Sequence, residues 1–408
     1  MKIENPNPIQ WQFSERAQQL QSSAIREILK ITQRPEIISF AGGLPSPATF
    51  PVERMKAAYD KVLSDNGKQA LQYGPTDGYA PLREWIADYL STEGSKIVPE
   101  QILMVSGSQQ ALDLLGKVLI DEGSRVLVET PSYLGALQAF SVYRPEFQSV
   151  ETDDHGLVPS SIEPLAKGAR LLYSLPNFQN TTGRSLSIER RRELVETCAR
   201  LGLPLIEDDP YGALSYKGEP MPRMLSMNPD GVIYMGSFSK VLAPGLRLGY
   251  VIAPPELHFK LCQAKQASDL HTPTFTQRVA YETIRDGLLD RHIPTIRALY
   301  GKQCQVMLDA LARHMPEGVS WNEPEGGMFI WVQLPQGLGL DSMAILEEAV
   351  KRNVAYVPGA PFYASNPQRN TLRLAFVTVP PERIEQGVAI LGEVFREAIA
   401  SAPQARAA

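Results

Sequence analysis

The sequence is poor in the residues that mark disulfide scaffolds, metal clusters and membrane proteins. Its 408 residues include three cysteines, too far apart for a paired motif, so neither a disulfide nor a zinc cluster is expected. Its five histidines show no metal-ligand spacing. No apolar run approaches the roughly 18 residues of a membrane span. The first twelve residues lack the order of a signal peptide, so a cytoplasmic location is expected.

The sequence also lacks a large excess of either sign of charge. The 40 Lys and Arg residues nearly balance the 45 Asp and Glu residues, which gives a formal net charge of −5, and no basic block stands out. The chain therefore lacks the positive footprint of a nucleic-acid-binding protein. Its 43% hydrophobic content is typical of a globular chain, and its length suggests two or three domains.

Short apolar runs alternate with helical stretches from about residue 100, which predicts an α/β fold with a mainly parallel sheet covered on both faces. The predicted strands are 102–105, 125–128, 171–174, 203–206, 232–235 and 248–252, with helices at 109–120, 134–142 and 189–201 and a long helical region at 255–314. A smaller α/β unit follows, with strands at 328–333, 355–357 and 371–375 and helices at 342–352 and 381–399.

The segment before Pro51 predicts one amphipathic helix, at about 16–32, and no sheet of its own. It is expected to pack on another part of the molecule or on a partner subunit. The expected division is an N-terminal arm with a substrate-side helix that belongs to the small domain (1–50), a large cofactor-binding domain (51–300) and a small C-terminal domain (301–408).

The loop after the predicted strand at 232–235 carries the first candidate for chemistry. Ligands of such sheets bind where loops leave the carboxyl ends of the strands. This loop contains Ser237, Ser239 and Lys240, and Arg247 follows seven residues on. The pattern suggests an amine set up for imine formation beside an anion-binding group. For the motif alone, an exposed lysine in a polar turn is the alternative.

Three consecutive acids, Glu207, Asp208 and Asp209, follow the predicted strand at 203–206. A buried carboxylate without a partner loses several kcal/mol of solvation, so at least one of them is expected to meet a cation such as a protonated ring nitrogen. The alternative is a cluster that caps the next turn. Asp208 and Tyr211 could both contact such a cation and cap the turn.

Further polar loops follow the neighbouring strands. A strand turns through glycine into a helix at Gly107-Ser108-Gln109, which favours an anion site. Tyr133 could stack on a flat ring, and Asn180 could bond a ring substituent, although each is more often packing or turn chemistry when taken alone. Together the loops fit a flat ring with a cationic nitrogen, a phosphate and an aldehyde. That combination is pyridoxal 5′-phosphate (PLP), for which a neighbouring acid maintains an electron sink.

The sequence resembles the fold-type I PLP-dependent aminotransferases of class I/II, over about residues 16–395. The resemblance rests on Ala41-Gly42-Gly43-Leu44-Pro45, Tyr73-Gly74-Pro75, Gly107-Ser108-Gln109, the Asn180 loop, Asp208-Asp209-Pro210-Tyr211, Ser237-Phe238-Ser239-Lys240, Arg247 and Leu372-Arg373-Leu374. Within the class it is most similar to the 2-aminoadipate (LysN-like) and kynurenine/aminoadipate aminotransferases. It implies a large domain with a mainly parallel seven-stranded sheet between helices, plus a smaller α/β C-terminal domain.

The resemblance also implies roles for individual residues. Lys240 forms the imine with the cofactor and moves the substrate proton, while Asp208 keeps the ring nitrogen protonated. Arg373 holds the substrate α-carboxylate, with Asn180 and Gly43 beside it. The implied cofactor-binding residues are Gly107, Ser108, Gln109, Tyr133, Asn180, Asp208, Tyr211, Ser237, Ser239, Lys240 and Arg247. Tyr73 reaches the phosphate in the neighbouring subunit, which implies an obligate homodimer with shared active sites.

The substrates implied are an L-amino acid and a 2-oxo acid such as 2-oxoglutarate, which react in two half-reactions of a ping-pong mechanism. Arg26, in an Ile-Arg pair that the related enzymes share, is the candidate for the distal carboxylate of glutamate or 2-aminoadipate. A solvated helix arginine is the alternative. A mobile helix would also admit aromatic or branched-chain amino acids.

One departure from the family pattern concerns the asparagine loop. The usual Asn-Pro-Thr-Gly reads Asn180-Thr181-Thr182-Gly183 here, and loss of the proline is expected to loosen the loop. Two alternatives stay open at this point. Another PLP reaction on the same fold, such as that of a β-lyase, decarboxylase or racemase, would use the same residues. A MocR-type regulator is disfavoured because only about 40 residues precede the core.

Overall fold

The computed structural model describes residues 9–18, 20, 28, 34–218 and 220–402. Its strands are β1 (Ile38–Ser39), β2 (Ile102–Val105), β3 (Arg125–Glu129), β4 (Glu146–Val150), β5 (Thr152–Asp153), β6 (Gly156–Leu157), β7 (Ala169–Ser174), β8 (Leu205–Asp208), β9 (Val232–Ser237), β10 (Gly249–Ile252), β11 (Ser320–Trp321), β12 (Phe329–Gln333), β13 (Val354–Ala355), β14 (Val357–Pro358) and β15 (Thr371–Ala375). Its α-helices are α1 (Glu15–Gln18), α2 (Val52–Ala70), α3 (Ala80–Leu90), α4 (Ser108–Leu119), α5 (Leu134–Ser141), α6 (Ile188–Leu201), α7 (Pro255–Asp269), α8 (Thr274–Ile284), α9 (Leu288–His314), α10 (Ser342–Lys351) and α11 (Pro381–Ser401).

Seven strands form the central sheet, in the order β2-β10-β9-β8-β7-β3-β4. The pairs from β9 to β4 are parallel, and β10 is antiparallel to both of its neighbours. The mainly parallel sheet of the α/β prediction is therefore confirmed. Its seventh strand, β4, was missed because its polar sequence lies only half-buried beside β3.

Apolar side chains cover both faces of this sheet, which explains the nearly continuous apolar runs of its strands. Val126 and Val128 of β3 belong to a core that includes α4 and α5 and continues into the C-terminal part of the chain. Leu127, between them, belongs to a second core that includes α3 and α6. Because successive residues of a strand face opposite sides, one apolar run contributes to both cores.

A four-stranded sheet, β11-β12-β15-β14, forms the C-terminal part, and α9 and α11 pack together beside it. The N-terminal segment joins this region, because β1 pairs in parallel with β13. Within its described residues the segment thus has no sheet of its own, as predicted, and its two-residue strand packs on another part of the molecule. The predicted strand at 355–357 was wrong, because the structure has two short strands, β13 and β14, in its place.

Other boundaries differ by a few residues. The strand predicted at 203–206 begins and ends two residues later, so Asp208 is the last residue of β8 rather than part of a loop. The helical region at 255–314 consists of α7, α8 and α9. Most of the predicted helix at 16–32 lies outside the described residues. Among the helices that the structure describes, none has the length and apolar character needed to cross a bilayer.

Candidate active site

A cavity of about 310 Å³ lies at the carboxyl ends of β8 and β9. Loops from several strands reach it, because the carboxyl ends of parallel strands meet at one edge of a sheet. Its lining includes the predicted site residues Gly43, Ser108, Gln109, Tyr133, Asn180, Asp208, Tyr211, Ser237, Ser239, Lys240, Arg247 and Arg373, together with Leu44, Pro45, Leu175, Pro210 and Pro244. One cavity thus collects residues that are more than 300 positions apart in the chain.

Lys240 reaches this cavity from the loop that follows β9. Its Nζ donates to the backbone oxygen of Gly43 over 2.8 Å and lies 5.8 Å from the centre of the Tyr211 ring. Burial lowers the pKa of Lys240 to about 8, and the positive charges of Arg373 and Arg247 act in the same direction. A neutral amine is therefore accessible near physiological pH, which is the form that attacks a carbonyl or accepts a proton.

Asp208 also lines the cavity and is buried. Its Oδ2 accepts a 2.7 Å hydrogen bond from the hydroxyl of Tyr173, whereas its buried Oδ1 has no hydrogen-bond partner among the described residues. Burial raises the pKa of Asp208 to about 7, and the hydrogen bond from Tyr173 opposes this rise. A carboxylate in this situation is stabilised by a cation placed at the free oxygen.

The acids on either side of Asp208 have different partners. Both oxygens of buried Glu207 accept backbone N–H groups, from Met224 at 3.0 Å and Leu225 at 2.9 Å. Asp209 accepts from the side chain of Asn177, from the backbone of Gly212 and from the hydroxyl of Tyr234. The expectation of a cation therefore applies to Asp208 alone, while the capping alternative describes Asp209.

The N-terminus of α4 forms a polar end of the cavity through Ser108 and Gln109. The preceding Gly107 has φ +83°, and a Cβ there would lie 2.5 Å from the Arg247 guanidinium, so glycine is required for Arg247 to fit. Ser237 and Ser239 add hydroxyl groups at this end. Backbone N–H groups at a helix N-terminus, an arginine and two hydroxyls are suited to a phosphate.

Arg373, on β15, is buried between the rings of Phe329 and Phe362, with distances of 4.3 and 5.1 Å from the guanidinium carbon to the ring centres. Its two terminal nitrogens donate to Asn180 Oδ1 at 2.6 Å and to the Ala41 backbone oxygen at 2.9 Å. Within the described part of the chain, its buried Nε has no acceptor. Burial lowers the pKa of Arg373 to about 10, so it stays charged at neutral pH and can bind a carboxylate.

Asn180 is hydrogen-bonded to two other residues of the cavity, Arg373 and Tyr211. Its Oδ1 accepts from Arg373, and its Nδ2 donates to the hydroxyl of Tyr211 over 3.2 Å. Tyr133 also lines the cavity, and the nearby Gly135 leaves room for its ring, because a Cβ at Gly135 would lie 2.4 Å from that ring. The aromatic and amide groups predicted for the site are therefore next to Lys240 and Asp208.

The loop that contains Asn180 is hydrogen-bonded through its neighbour Gln179. The expectation that the missing proline loosens this loop stays a prediction. The Gln179 amide nitrogen donates to the Glu129 carboxylate and to the Pro131 carbonyl oxygen. Its amide oxygen accepts from the hydroxyls of Thr181 and Thr182. Because these groups are buried, the hydrogen bonds hold the loop where the family pattern has a proline.

The cavity does not test two of the predicted residues. Tyr73 does not line the cavity of its own chain: its side chain is 79% exposed and lies edge-on to the ring of His271. Arg26 lies outside the described residues. Both assignments stay predictions.

Sequence reasoning missed several residues that support the site, namely Tyr173, Glu129, Gln179, Phe329 and Phe362. A signal existed for Tyr173, because it pairs with Ile206 on the neighbouring parallel strand and Asp208 follows two residues later on the same face. No local signal existed for Phe329 or Phe362, which reach Arg373 only through the C-terminal sheet. Glu129 ends an apolar strand, and a lone acid at that place indicates either a loop or a buried partner.

Comparison with known proteins agrees with this geometry. Residues 36–391 match the family model for aminotransferases of class I and II. The chain is 44% identical to aromatic-amino-acid aminotransferase 1 of Thermococcus litoralis, covering 94% of both chains, and 43% identical to 2-aminoadipate transaminase of Thermus thermophilus, covering 96% of this chain and 99% of that one. It is similar to the solved structure of LysN from Thermus thermophilus, an α-aminoadipate aminotransferase complexed with N-(5′-phosphopyridoxyl)-L-leucine. That likeness has a TM-score of 0.89 and 42% identity, and covers 95% and 98% of the two chains.

The fold and the cavity together define a fold-type I transferase. The chain belongs to the family of class I and II aminotransferases, and it is an aminotransferase that depends on PLP. The residues present fit this cofactor. The partnerless Asp208 Oδ1 suits a protonated ring nitrogen, the α4 end suits the phosphate, and Lys240 suits the aldehyde carbon.

Proposed function

We propose that this aminotransferase moves the amino group of an L-amino acid to a 2-oxo acid such as 2-oxoglutarate in two half-reactions. The observation that carries the proposal is the placement of Lys240 and Asp208 in one cavity with Arg373. The lowered pKa of Lys240 supports a proton carrier, the free oxygen of Asp208 supports a charge stabiliser, and Arg373 supports a carboxylate clamp. Such a set is suited to chemistry at the α-carbon of an amino acid.

When bound, PLP supplies an electron sink next to the substrate α-carbon. Lys240 is the residue we assign to covalent attachment and to proton removal and return, since its amine is neutral in part at neutral pH. Asp208 holds positive charge opposite its free oxygen, and Tyr173 orients its carboxylate. Arg373 orients the substrate, and its bond to Asn180 fixes the angle of the guanidinium plane.

The remaining cavity residues bind and orient the cofactor in this proposal. Gly107, Ser108, Gln109, Ser237, Ser239 and Arg247 bind the phosphate, and Tyr133 stacks on the ring. Tyr211 and Asn180, which are already hydrogen-bonded to each other, face the ring oxygen. A preorganised phosphate end is supported by the α4 N-terminus and Arg247, which line the same cavity.

The proposed donors are 2-aminoadipate, glutamate, and aromatic and branched-chain amino acids. The mixed lining supports this breadth, since Leu44, Pro45 and Leu175 add apolar surface beside Arg373. The related enzymes are named for aromatic amino acids and for 2-aminoadipate, and the LysN structure contains a leucine adduct. A distal carboxylate needs a further cation, and we assign that role to Arg26.

We further propose a homodimer in which Tyr73 completes the partner's phosphate site. Exposed apolar side chains around it support an interface, since Leu71, Tyr73 and Leu270 are each more than half exposed. Light scattering tests the dimer. Tyr73→Ala is expected to weaken PLP affinity, although the phosphate-binding residues of α4 in the same chain are unchanged.

We also propose the domain division at residues 50 and 300 and a cytoplasmic location. Helix α9 crosses the proposed boundary at residue 300.

An absorbance spectrum tests the central proposal. The purified protein is recorded before and after L-2-aminoadipate or L-glutamate is added without any oxo acid. The visible band of the bound cofactor is expected to convert to the pyridoxamine form, and 2-oxoglutarate is expected to restore it. A band that no amino acid changes would overturn the donor assignment, and failure to reconstitute any band would overturn the cofactor assignment for these residues.

A second comparison tests Arg26. Rates with 2-aminoadipate and with leucine are measured for wild type and Arg26→Ala. Loss confined to 2-aminoadipate is expected, because only that donor has a distal carboxylate. Equal losses for both donors would contradict a carboxylate-specific role.

A further inference from the structure

A second cavity, of about 140 Å³, lies beside the active-site cavity. Pro210 and Ser237 line both cavities, so the two share a wall. The rest of its lining comes from α3, the loop after β8, the segment around residue 221, β9 and the loop that follows it, β10 and the first turns of α9. None of these residues belongs to the aminotransferase machinery described above. They include Trp85, Tyr89, Met221, Arg223, Tyr234 and Arg297.

Five aromatic side chains line this cavity. Trp85 and Tyr89 stack with ring centres 4.7 Å apart and planes within 14° of parallel. Tyr234, Phe238 and Tyr250 add three buried rings to the lining. A cavity of about 150 Å³ with apolar walls accommodates a benzene-sized molecule. This cavity has a similar volume and mixed walls, so its aromatic side suits one flat six-membered ring and its polar side suits a charged substituent.

Two guanidinium groups give the cavity positive charge. Arg223 donates to the Leu90 backbone oxygen at 3.0 Å, and Arg297 donates to the Ala213 backbone oxygen at 2.8 Å. Both acceptors are uncharged carbonyls, so these bonds position the guanidinium groups without neutralising them. Each guanidinium has five N–H donors, so further donors remain for a ligand.

One acid, Asp209, lies in the same wall and could be expected to neutralise an arginine. Its Oδ1 accepts from Asn177 and Gly212 at 2.8 Å, and its Oδ2 accepts from Tyr234 at 3.0 Å. These bonds hold the turn at Asp209, and its charge offsets part of the positive charge of Arg223. With two arginines and one acid among the lining residues, the cavity keeps a net positive charge.

We propose that this second cavity is a binding site for a small aromatic carboxylate, distinct from the amino acid site at Arg373. The ring enters between the aromatic side chains, and the carboxylate pairs with Arg297 and Arg223. The mouth lies at Tyr89 and Met221, which are 41% and 44% exposed. A ligand there contacts Pro210 and Ser237, so it lies one side chain away from the predicted phosphate site.

Benzoate is the probe that tests the site, titrated calorimetrically into the holoenzyme. Arg297→Gln is expected to weaken benzoate binding about tenfold, the scale of one lost charge-assisted hydrogen bond. Arg291→Gln is the matched control, because Arg291 lies on the same helix and also donates to a backbone carbonyl, that of Asp286, outside the cavity. Its affinity for benzoate is expected to equal that of wild type. Thermal melting establishes that each variant is folded.

Met221→Trp provides a second variant, because it fills the mouth from an exposed position and leaves both arginines in place. It is expected to weaken benzoate binding as well, while activity with leucine stays at the wild-type level. A crystal structure of the holoenzyme grown with benzoate is expected to place the ring between Trp85 and Tyr234. Absence of binding to wild type, or equal affinity in wild type, Arg297→Gln and Met221→Trp, would overturn the proposal, since benzoate would then bind only at Arg373 or nowhere.

Discussion

Two consecutive acids at the end of β8 show how the front and back of the sheet differ. Asp208 faces the active-site cavity, and Glu207 faces the opposite side. Both are buried, and burial raises the pKa of each to about 7. Among the residues that the structure describes, Glu207 has a backbone N–H donor for each oxygen, whereas Asp208 has a donor for one oxygen and none for the other.

The difference teaches that burial alone does not separate a structural acid from a functional one. A carboxylate whose hydrogen bonds are complete stabilises the fold, whereas an incomplete one costs free energy until a ligand arrives. Arg373 follows the same logic, since its Nε is free while its other nitrogens are bonded. Buried polar groups thus have incomplete hydrogen bonding on the side of the cavity, where the cofactor and the substrate are proposed to bind.

The largest expected effect comes from Lys240→Ala. Multiple-turnover transamination is expected to be lost, because no other described residue of the cavity combines an amine with a lowered pKa. Stability should change little, since the hydrogen bond to the Gly43 oxygen is a single contact. Oxo-acid-dependent turnover and urea unfolding are the two measurements, with exposed Lys260→Ala as the control. Substantial turnover by Lys240→Ala would contradict the assignment.

Asp208→Ala and Glu207→Ala compare the two acids directly. Asp208→Ala should retain the cofactor but lose roughly 10²- to 10³-fold in kcat, the scale for removing one charge-stabilising group. Glu207→Ala should keep most of kcat but lose roughly 1–3 kcal/mol of stability for each backbone N–H left without an acceptor. The measurements are kcat at saturating PLP and urea unfolding of the apo form. Equal losses of kcat in the two variants would remove the distinction between front and back.

Much of this front face could be predicted from the sequence, because its signals are local. Lys240 lies behind two serines at a strand end, and Gly107 lies between a strand and a helix. Most strands of the central sheet were also predictable, since β2 and its neighbours are nearly continuous apolar runs. Local chemistry and periodicity are the information that one sequence contains most clearly.

The rest depends on contacts between distant segments. The packing of Phe329 and Phe362 around Arg373 requires the C-terminal sheet to meet the large one, and no local pattern indicates that meeting. The polar strand β4 has no apolar alternation because it lies at the edge of the sheet. The hydrogen bond from Gln179 to Glu129 could not be predicted, because Glu129 lies fifty residues earlier in the chain.

Gln179→Ala is expected to have an intermediate effect, because Gln179 positions Asn180 without lining the cavity itself. Its removal leaves the Glu129 carboxylate short of a donor, at a cost of roughly 1–3 kcal/mol. The freed loop should raise KM for the amino acid about tenfold, the scale of one weakened charge-assisted hydrogen bond between Arg373 and Asn180, and lower kcat less. Gln305→Ala, which removes an exposed amide, is the control. An unchanged KM together with lost stability would assign Gln179 a purely structural role.

A further expected effect, on stability and not on activity, is a slope in the pH dependence of the free energy of unfolding of the apo protein. The folded pKa of Glu207, about 7, lies above its ordinary value of 4.5. A raised pKa gives stability that is complete below about pH 4.5 and lost as pH rises toward 7, because only the unfolded state ionises freely in that window. Glu207 should therefore lower the free energy of unfolding by roughly 3 kcal/mol between pH 4.5 and 7.

Glu207→Gln is expected to remove the contribution of Glu207 to this slope, because an amide does not titrate. The comparison uses the change in the free energy of unfolding with pH and not its absolute value. Glu163→Gln is the control, since Arg200 lowers the pKa of the exposed Glu163 carboxyl and a lowered pKa acts with the opposite sign. Urea unfolding at several pH values between 4.5 and 8 measures both variants. If wild type and Glu207→Gln had parallel profiles, Glu207 would be ionised throughout this range, and its two N–H donors would outweigh burial. Glu207 would then be a charged carboxylate with a hydrogen-bond donor for each oxygen, and its contrast with Asp208 would be sharper.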